Sequence, residues 1–305
     1  MMDRYTAALR RPELRVTALA IFVVVLWGML PWLRALAGEV PALQLTAMAM
    51  GCAAVSSRLL PGSDSLRSAL RRHPPQAWLV IVGGMLGALT LYFAALSLAP
   101  APQVVVIAYT WPLLLALAGD LYRRRPPSFV SILALLLGLA GVAILQGGGA
   151  SLAGRVGLGC VAALGAGLCW AGYSLFVQVY ARPVGSAYPA FFALAAVVAL
   201  LLQAATQGLV WPLSPAALAA AAALGVGPYG LAFMAWAHVL QHGNPRVVPV
   251  LPYAVPGVAA AILVLTDHVE PTLRLALGCG VIALACVTAM RGNTGRRAPR
   301  LRPRS

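Results

Sequence analysis

Apolar stretches of about twenty residues recur along this chain with only short polar links between them, and that spacing decides the fold class. Windows of about nineteen residues mark ten candidate helices, at 16–35, 42–60, 77–98, 103–122, 128–146, 155–180, 187–210, 215–241, 246–265 and 272–290. A helix needs about 20 mostly apolar residues to cross the hydrocarbon layer, whereas soluble domains are about half apolar and about a quarter charged. Here 61% of the 305 residues are hydrophobic and 10% are charged. The expected fold is an all-α membrane protein of ten transmembrane helices. "ALAG" at 35–38 resembles a signal-peptide cleavage site, but the apolar run before it is long and Arg34 adjoins it, so the first helix is expected to be retained.

The net charge of +15 comes with 22 basic residues, all arginine. They do not gather into a basic nucleic-acid-binding face; they collect at alternate helix ends. One side receives Arg4, Arg10, Arg11, Arg15, Arg58, Arg67, Arg71, Arg72, Arg123, Arg124, Arg125, Arg182, Arg246 and six arginines of the tail from Arg291, nineteen in all; the other has Arg34, Arg155 and Arg274. By the positive-inside rule both termini are expected in the cytoplasm and the number of spans is expected to be even. The tail is expected either to touch anionic lipid or to act as a disordered topology anchor. The five cysteines fall in apolar runs without metal-ligand or disulfide-framework spacing. No metal, cofactor, nucleic acid or obligate protein partner is expected, only a small-molecule substrate and membrane lipid. No phosphate loop is present, so ATP-driven transport by this chain is excluded.

A shift of about 143 residues aligns the chain with itself. It places "LWGML" (26–30) on "CWAGY" (169–173), so Trp27 meets Trp170, and "YFAAL" (92–96) on "AWAHV" (235–239). "PQVV" after Ala101 meets "PRVV" after Asn244, and one residue further "YTWP" (109–112) meets "YAVP" (253–256). Each half then holds five helices, an odd number, so the second half enters the membrane inverted. The expected division is 1–148 and 149–305, the second half carrying the basic cytoplasmic tail. Inverted repeats with broken helices are a recurrent design of secondary transporters.

Two five-helix repeats, Trp-Gly in the first helix, "YFAAL" ending the third and Tyr-x-x-Pro in the fourth make the chain similar to the drug/metabolite transporter superfamily, in its EamA-type ten-helix branch. The resemblance covers about 16–290 and is closest to the aromatic amino acid exporters. It implies a basket of ten helices around a cavity formed by helices 1, 3, 4, 6, 8 and 9. The family places a glutamate after the fourth helix of each repeat; here Asp120 takes the first place and Asp267 or Glu270 the second.

All seven acids lie in loops or at helix ends, whereas proton-coupled carriers keep an ionisable group at depth. Only His238 is titratable within a span. The expected interior is aromatic: Trp27, Tyr92, Tyr109, Trp170, Tyr173, Tyr229, Trp236 and Tyr253 are candidate substrate contacts, with Gln44, Ser174, Gln178 and His238 as polar ones. Pro112, Pro252 and Pro256 each lack an N–H and release the carbonyl four residues back, and are candidate hinges. Pro252 and Pro256 are expected as breaks inside the ninth helix, with Pro249 in its first turn. The expected function is export of aromatic or neutral amino acids and similar metabolites by alternating access, without ion coupling. The alternatives are a proton-coupled broad drug efflux carrier and, remotely, an intramembrane enzyme using a Ser174–His238 dyad.

Overall fold

The computed structural model describes residues 2–99, 101–146, 155–180, 182–211, 213–244, 247–266, 270 and 272–291. Pro245, Arg246, Asp267, the 148/149 junction and the tail beyond Arg291 lie outside the described residues. The described residues form ten long helical segments. They are α1 (Met2–Gly28, continued as Leu30–Leu36), α2 (Ala42–Arg58), α3 (Pro75–Leu98), α4 (Ala101–Ala108, continued as Trp111–Tyr122) and α5 (Phe129–Gln146). The second half supplies α6 (Arg155–Val179), α7 (Tyr188–Thr206), α8 (Pro215–Leu224, Gly225–Leu231 and Ala232–His242), α9 (Ala254–Leu265) and α10 (Leu273–Arg291). A short surface helix, Leu66–Arg72, joins α2 to α3. Among the described residues, α1, α3, α4, α6, α7 and α8 are long and apolar enough to cross a membrane, and α5, α9 and α10 are shorter apolar helices.

Local chemistry sets several of the starts. Ser214 caps α8 by accepting from the Ala217 N–H, and Pro215 fills the first position, where no N–H is needed. Pro75 fills the first position of α3 and Pro189 the second of α7, where an N–H is equally dispensable. Pro112 likewise sits near the start of the second piece of α4. The ninth segment differs from its expected span of 246–265. Turns occupy 247–250, a single 3₁₀ turn runs Leu251–Tyr253, and the α-helix begins only at Ala254. Pro252 therefore lies in the 3₁₀ turn and Pro256 in the first α-helical turn, where its missing N–H leaves no gap. Neither interrupts a helix from within; the chain delays the helix until the prolines fit.

Most of the tight packing is between the halves. The broadest contacts are α3 with α6, α5 with α10 and α2 with α7; α1 packs on α8 and α9, as α6 packs on α3 and α4. Exchanging the halves maps this set onto itself, as an inverted pair of five-helix repeats requires. Lipid supplies no hydrophobic drive between helices, so close approach rests on small residues. A Cβ on Gly84 of α3 would stand 2.7 Å from the Tyr173 Cβ on α6. Gly141 of α5 and Gly278 of α10 face each other, a Cβ on either falling within 3.1 Å of the other's carbonyl oxygen.

At the basic ends of the helices a polar clasp joins the halves. The Asp64 N–H donates to the Ser186 carbonyl at 2.8 Å, the Ser186 hydroxyl donates to Asp64 Oδ2 at 2.7 Å, and an Arg72 guanidinium nitrogen reaches both, at 2.9 and 3.2 Å. Arg182 donates to the Arg72 carbonyl, and the buried His73 ring meets the Tyr180 hydroxyl at 3.3 Å. Burial opposes ionisation of Asp64, yet hydrogen bonds from Ser186 and Ser68 and the charge of Arg72 hold its carboxyl below the usual range. Burial, then repulsion by Arg72, pushes the His73 imidazole down.

Both groups have folded values below their ordinary ones, about 6.5 for histidine and about 3.9 for aspartate. Their contribution to stability is complete above those values and is lost as pH falls through the folded ones. Thermal unfolding of the full chain in detergent should therefore show a midpoint that drops on acidification from pH 7. Asp64→Asn should flatten the profile below about pH 4 and His73→Gln the part below about pH 6.5; unchanged profiles would remove the clasp from the stability of the protein.

Candidate functional site

Four departures from regular helix among the described residues bring residues to one place. α1 breaks at Met29, α4 at Tyr109–Thr110, α8 widens into a π-helical turn at Gly225–Leu231, and α9 is preceded by its 3₁₀ turn. Pro228 lies inside the π segment, and single π turns of this kind concentrate at functional sites. Around these irregularities is a cavity of about 180 Å³. Its walls are Trp27 and Leu30 of α1, Ala88, Leu89 and Tyr92 of α3, Ala108, Tyr109 and Trp111 of α4, Ala166, Gly167 and Trp170 of α6, Tyr229 and Phe233 of α8, and Pro252 and Val255 before and in α9.

The floor and walls are a mesh of rings. Trp27 lies 5.7 Å from Trp170, 5.5 Å from Trp236 and 6.3 Å from Phe233 between centroids. Trp111 meets Trp170 and Trp236 edge-on at 6.2 and 6.0 Å. Edge-to-face pairs at such spacings are worth about 0.5–1.5 kcal/mol each beyond burial. Buried indole N–H groups need acceptors: Trp27 Nε1 donates to the Pro228 carbonyl at 3.1 Å, and Trp236 Nε1 to the Ser174 hydroxyl at 3.3 Å. The π turn thus supplies a carbonyl to the tryptophan that centres the mesh. None of the lining residues is charged. Pro112 has no N–H for the Ala108 carbonyl, and a Cβ on Gly167 would stand 3.0 Å from that oxygen. Only glycine gives α6 this approach to the break in α4.

Of the twelve residues expected at the site, Trp27, Tyr92, Tyr109, Trp170 and Tyr229 line the cavity, and so does the hinge candidate Pro252. Trp236 lies one layer deeper, 1% exposed, against Trp27 and Trp111. Tyr173 is buried below Trp170 and shares a 2.5 Å hydroxyl contact with Tyr188. Ser174 is consumed by Trp236. Gln44 holds the Val210 main chain from both sides, donating to its carbonyl and accepting from its N–H at 2.9 Å each, and so fastens the α7–α8 link. Gln178 lies beside Gly119 of α4, outside the cavity lining. Tyr253 is fully buried in a separate cluster with Leu135, Val142, Val250 and Ile282.

His238 points the other way. It is exposed on the outer face of α8, stacked on His242 one turn later at 4.1 Å. The reason is angular: positions 233, 236, 237 and 240 of this helix are buried, which leaves 238 on the opposite side. Ser174 and His238 accordingly do not form a dyad. Sequence reasoning missed Phe233, the small wall residues Ala88, Ala166 and Gly167, and the π turn. The available signal for the last was "GVGPYG" (225–230), three glycines and a proline within an apolar run.

Comparison with known proteins gives concordant results. The sequence profile of the EamA-like transporter family matches twice, over residues 15–146 and 157–291. The aromatic amino acid exporter YddG of Ancylobacter novellus is 31% identical over 274 residues, spanning 87% of this chain and 93% of that protein. The threonine/homoserine exporter RhtA of Escherichia coli is 31% identical over 215 residues, 67% of this chain and 68% of that one. A solved crystal structure superposes with a TM-score of 0.82 at 27% identity, covering 92% of this chain and 100% of the other.

The Tyr173–Tyr188 pair offers a direct test of the packing under the cavity. Replacing either tyrosine by phenylalanine strands the other hydroxyl in a dry core and should cost on the order of 1 kcal/mol. Replacing both removes donor and acceptor together, so the double variant should lose less than the sum of the singles in a thermal-unfolding cycle; strict additivity would mean the hydroxyls do not interact.

Proposed function

We propose, from the premise that this chain belongs to the EamA-like transporter family and is a multi-pass membrane protein, that it exports aromatic or other neutral amino acids and similar small metabolites. The observation that carries the reading is the uncharged, aromatic cavity where both halves meet. Ring faces of Trp27, Trp111, Trp170 and Phe233 attract an ammonium group through cation–π contact, and the carbonyl of Ala108 accepts from it. The hydroxyls of Tyr92, Tyr109 and Tyr229 donate to a carboxylate. The volume of about 180 Å³ falls below the roughly 300–1,000 Å³ of pockets that bury drug-sized ligands, which favours an amino acid over a broad drug spectrum.

Transport proceeds by alternating access, the halves 1–148 and 149–305 rocking about the cavity. Pro112 and Pro252, at the helix interruptions, serve as hinges; Pro256, within a regular first turn, is a weaker candidate. Coupling to protons is not part of this reading, because His238 faces away from the cavity and none of the residues lining it is charged. Nor is catalysis, since Ser174 is bonded to Trp236. The arginine asymmetry supports cytoplasmic termini, and similarity to bacterial exporters supports a site in the bacterial inner membrane.

Purified protein in liposomes should take up labelled phenylalanine, tryptophan or threonine saturably with no imposed pH gradient. His238→Ala should transport at the wild-type rate, whereas Tyr109→Phe and Trp170→Phe should each raise the half-saturating concentration by about two- to tenfold. Dependence on a pH gradient that disappears in His238→Ala would overturn the uncoupled reading. In a thermal-shift panel, stabilisation by cationic drugs but by no amino acid would favour the efflux alternative. Pro112→Ala should slow uptake several-fold while expression in the membrane is retained; equal losses of both would reduce this proline to a structural role.

A further inference from the structure

The link between α2 and α3 carries a feature that the cavity does not use. Leu59, Leu66 and Leu70 are 81%, 59% and 56% exposed, and Arg58, Arg67 and Arg71 are exposed with them. In the surface helix Leu66–Arg72, Leu66 and Leu70 lie one turn apart on one flank, and Arg67 and Arg71 one turn apart on the next. Ala69, fully buried, anchors the inner face, and the opposite flank is fastened by Arg72 to Asp64 and Ser186. Asp64 is the sole acid between Arg58 and Arg72, and it is already engaged by Arg72, Ser68 and Ser186. Arg58, Arg67 and Arg71 therefore have no counter-charge in this link.

Because the helix joins two consecutive spans, it lies at the level where membrane meets water. Leucines beside arginines at that level match the acyl–headgroup boundary, the leucines entering the apolar edge and the guanidinium groups meeting phosphate. We propose that Leu66–Arg72, with Leu59 and Arg58, forms a binding surface for anionic phospholipid. The inference goes beyond the export reading and is independent of which solute is carried. The same helix carries Arg72 into the clasp with Ser186, so lipid on its outer flank steadies the joint between the two halves.

Photoactivatable phosphatidylglycerol, added to the full chain in neutral vesicles, should label the 58–72 segment, located by mass spectrometry. A photoactivatable phosphatidylcholine should not. Arg67→Gln with Arg71→Gln should weaken that labelling by roughly thirtyfold, from two basic contacts with an anionic surface, and leave labelling elsewhere unchanged. Leu66→Ser with Leu70→Ser should weaken it as well. Phosphatidylglycerol should also raise the thermal midpoint of the wild type, and that rise should shrink in the double-arginine variant and in Asp64→Asn. Undiminished labelling in the arginine variant would overturn the proposal. So would equal competition by glycerol phosphate, which marks a simple anion site, or by polyglutamate, which marks a surface for an acidic protein. A full midpoint rise in Asp64→Asn would overturn the connection to the clasp.

Discussion

A main-chain carbonyl without a partner cannot face hydrocarbon, because no water is there to satisfy it. The interior of this protein is organised around that rule. The chain leaves regular helix geometry at Met29, at Tyr109–Thr110, through Gly225–Leu231 and over 247–253, and residues at or next to all four sites line the one cavity described between the halves. Irregular backbone is tolerated there because protein covers it. The Pro228 carbonyl accepts from Trp27, and the Ala108 carbonyl, denied a donor by Pro112, faces Gly167. In a wall with no charged side chain, what the cavity presents is ring faces, tyrosine hydroxyls and backbone.

The same economy governs how the halves meet. Aromatic rings from both repeats interlock beneath the cavity, and small residues let α3 approach α6 and α5 approach α10. Polar contacts between the halves include the Asp64–Ser186–Arg72 clasp on the basic side, the Gln44–Val210 pair at the other end and the buried Trp27–Pro228 hydrogen bond at the centre.

Repeat symmetry explains part of the site and fails at an instructive point. Trp27 and Trp170, matched by the 143-residue offset, are in ring contact across the centre of the bundle at 5.7 Å. Tyr109 and Tyr253, matched one residue further, differ in exposure to the cavity: Tyr109 lines it while packing on the second cluster, whereas Tyr253 is sealed against Gly138 within that cluster. The difference follows from the local break. α4 resumes at Trp111 after a two-residue interruption, while the chain before α9 runs through turns and a 3₁₀ turn that rotate Tyr253 away.

Apolar run length, charge placement and internal offset were enough to specify ten helices, two inverted halves, the six helices around the centre through family resemblance, and the aromatic character of the site. These follow from one-dimensional properties: a bilayer sets length, and duplication sets the repeat. Which side chains face the cavity was decided by tertiary structure. A helix surrounded by lipid and protein is apolar all round, so periodicity carries no facing signal. Hence Gln44, Ser174 and His238 looked equally available in sequence, yet one fastens a loop, one is bonded to Trp236 and one faces outward. The π turn and Gly167 escaped notice for the matching reason: their value lies in contacts with residues more than fifty positions away, and only the packed helices bring those together.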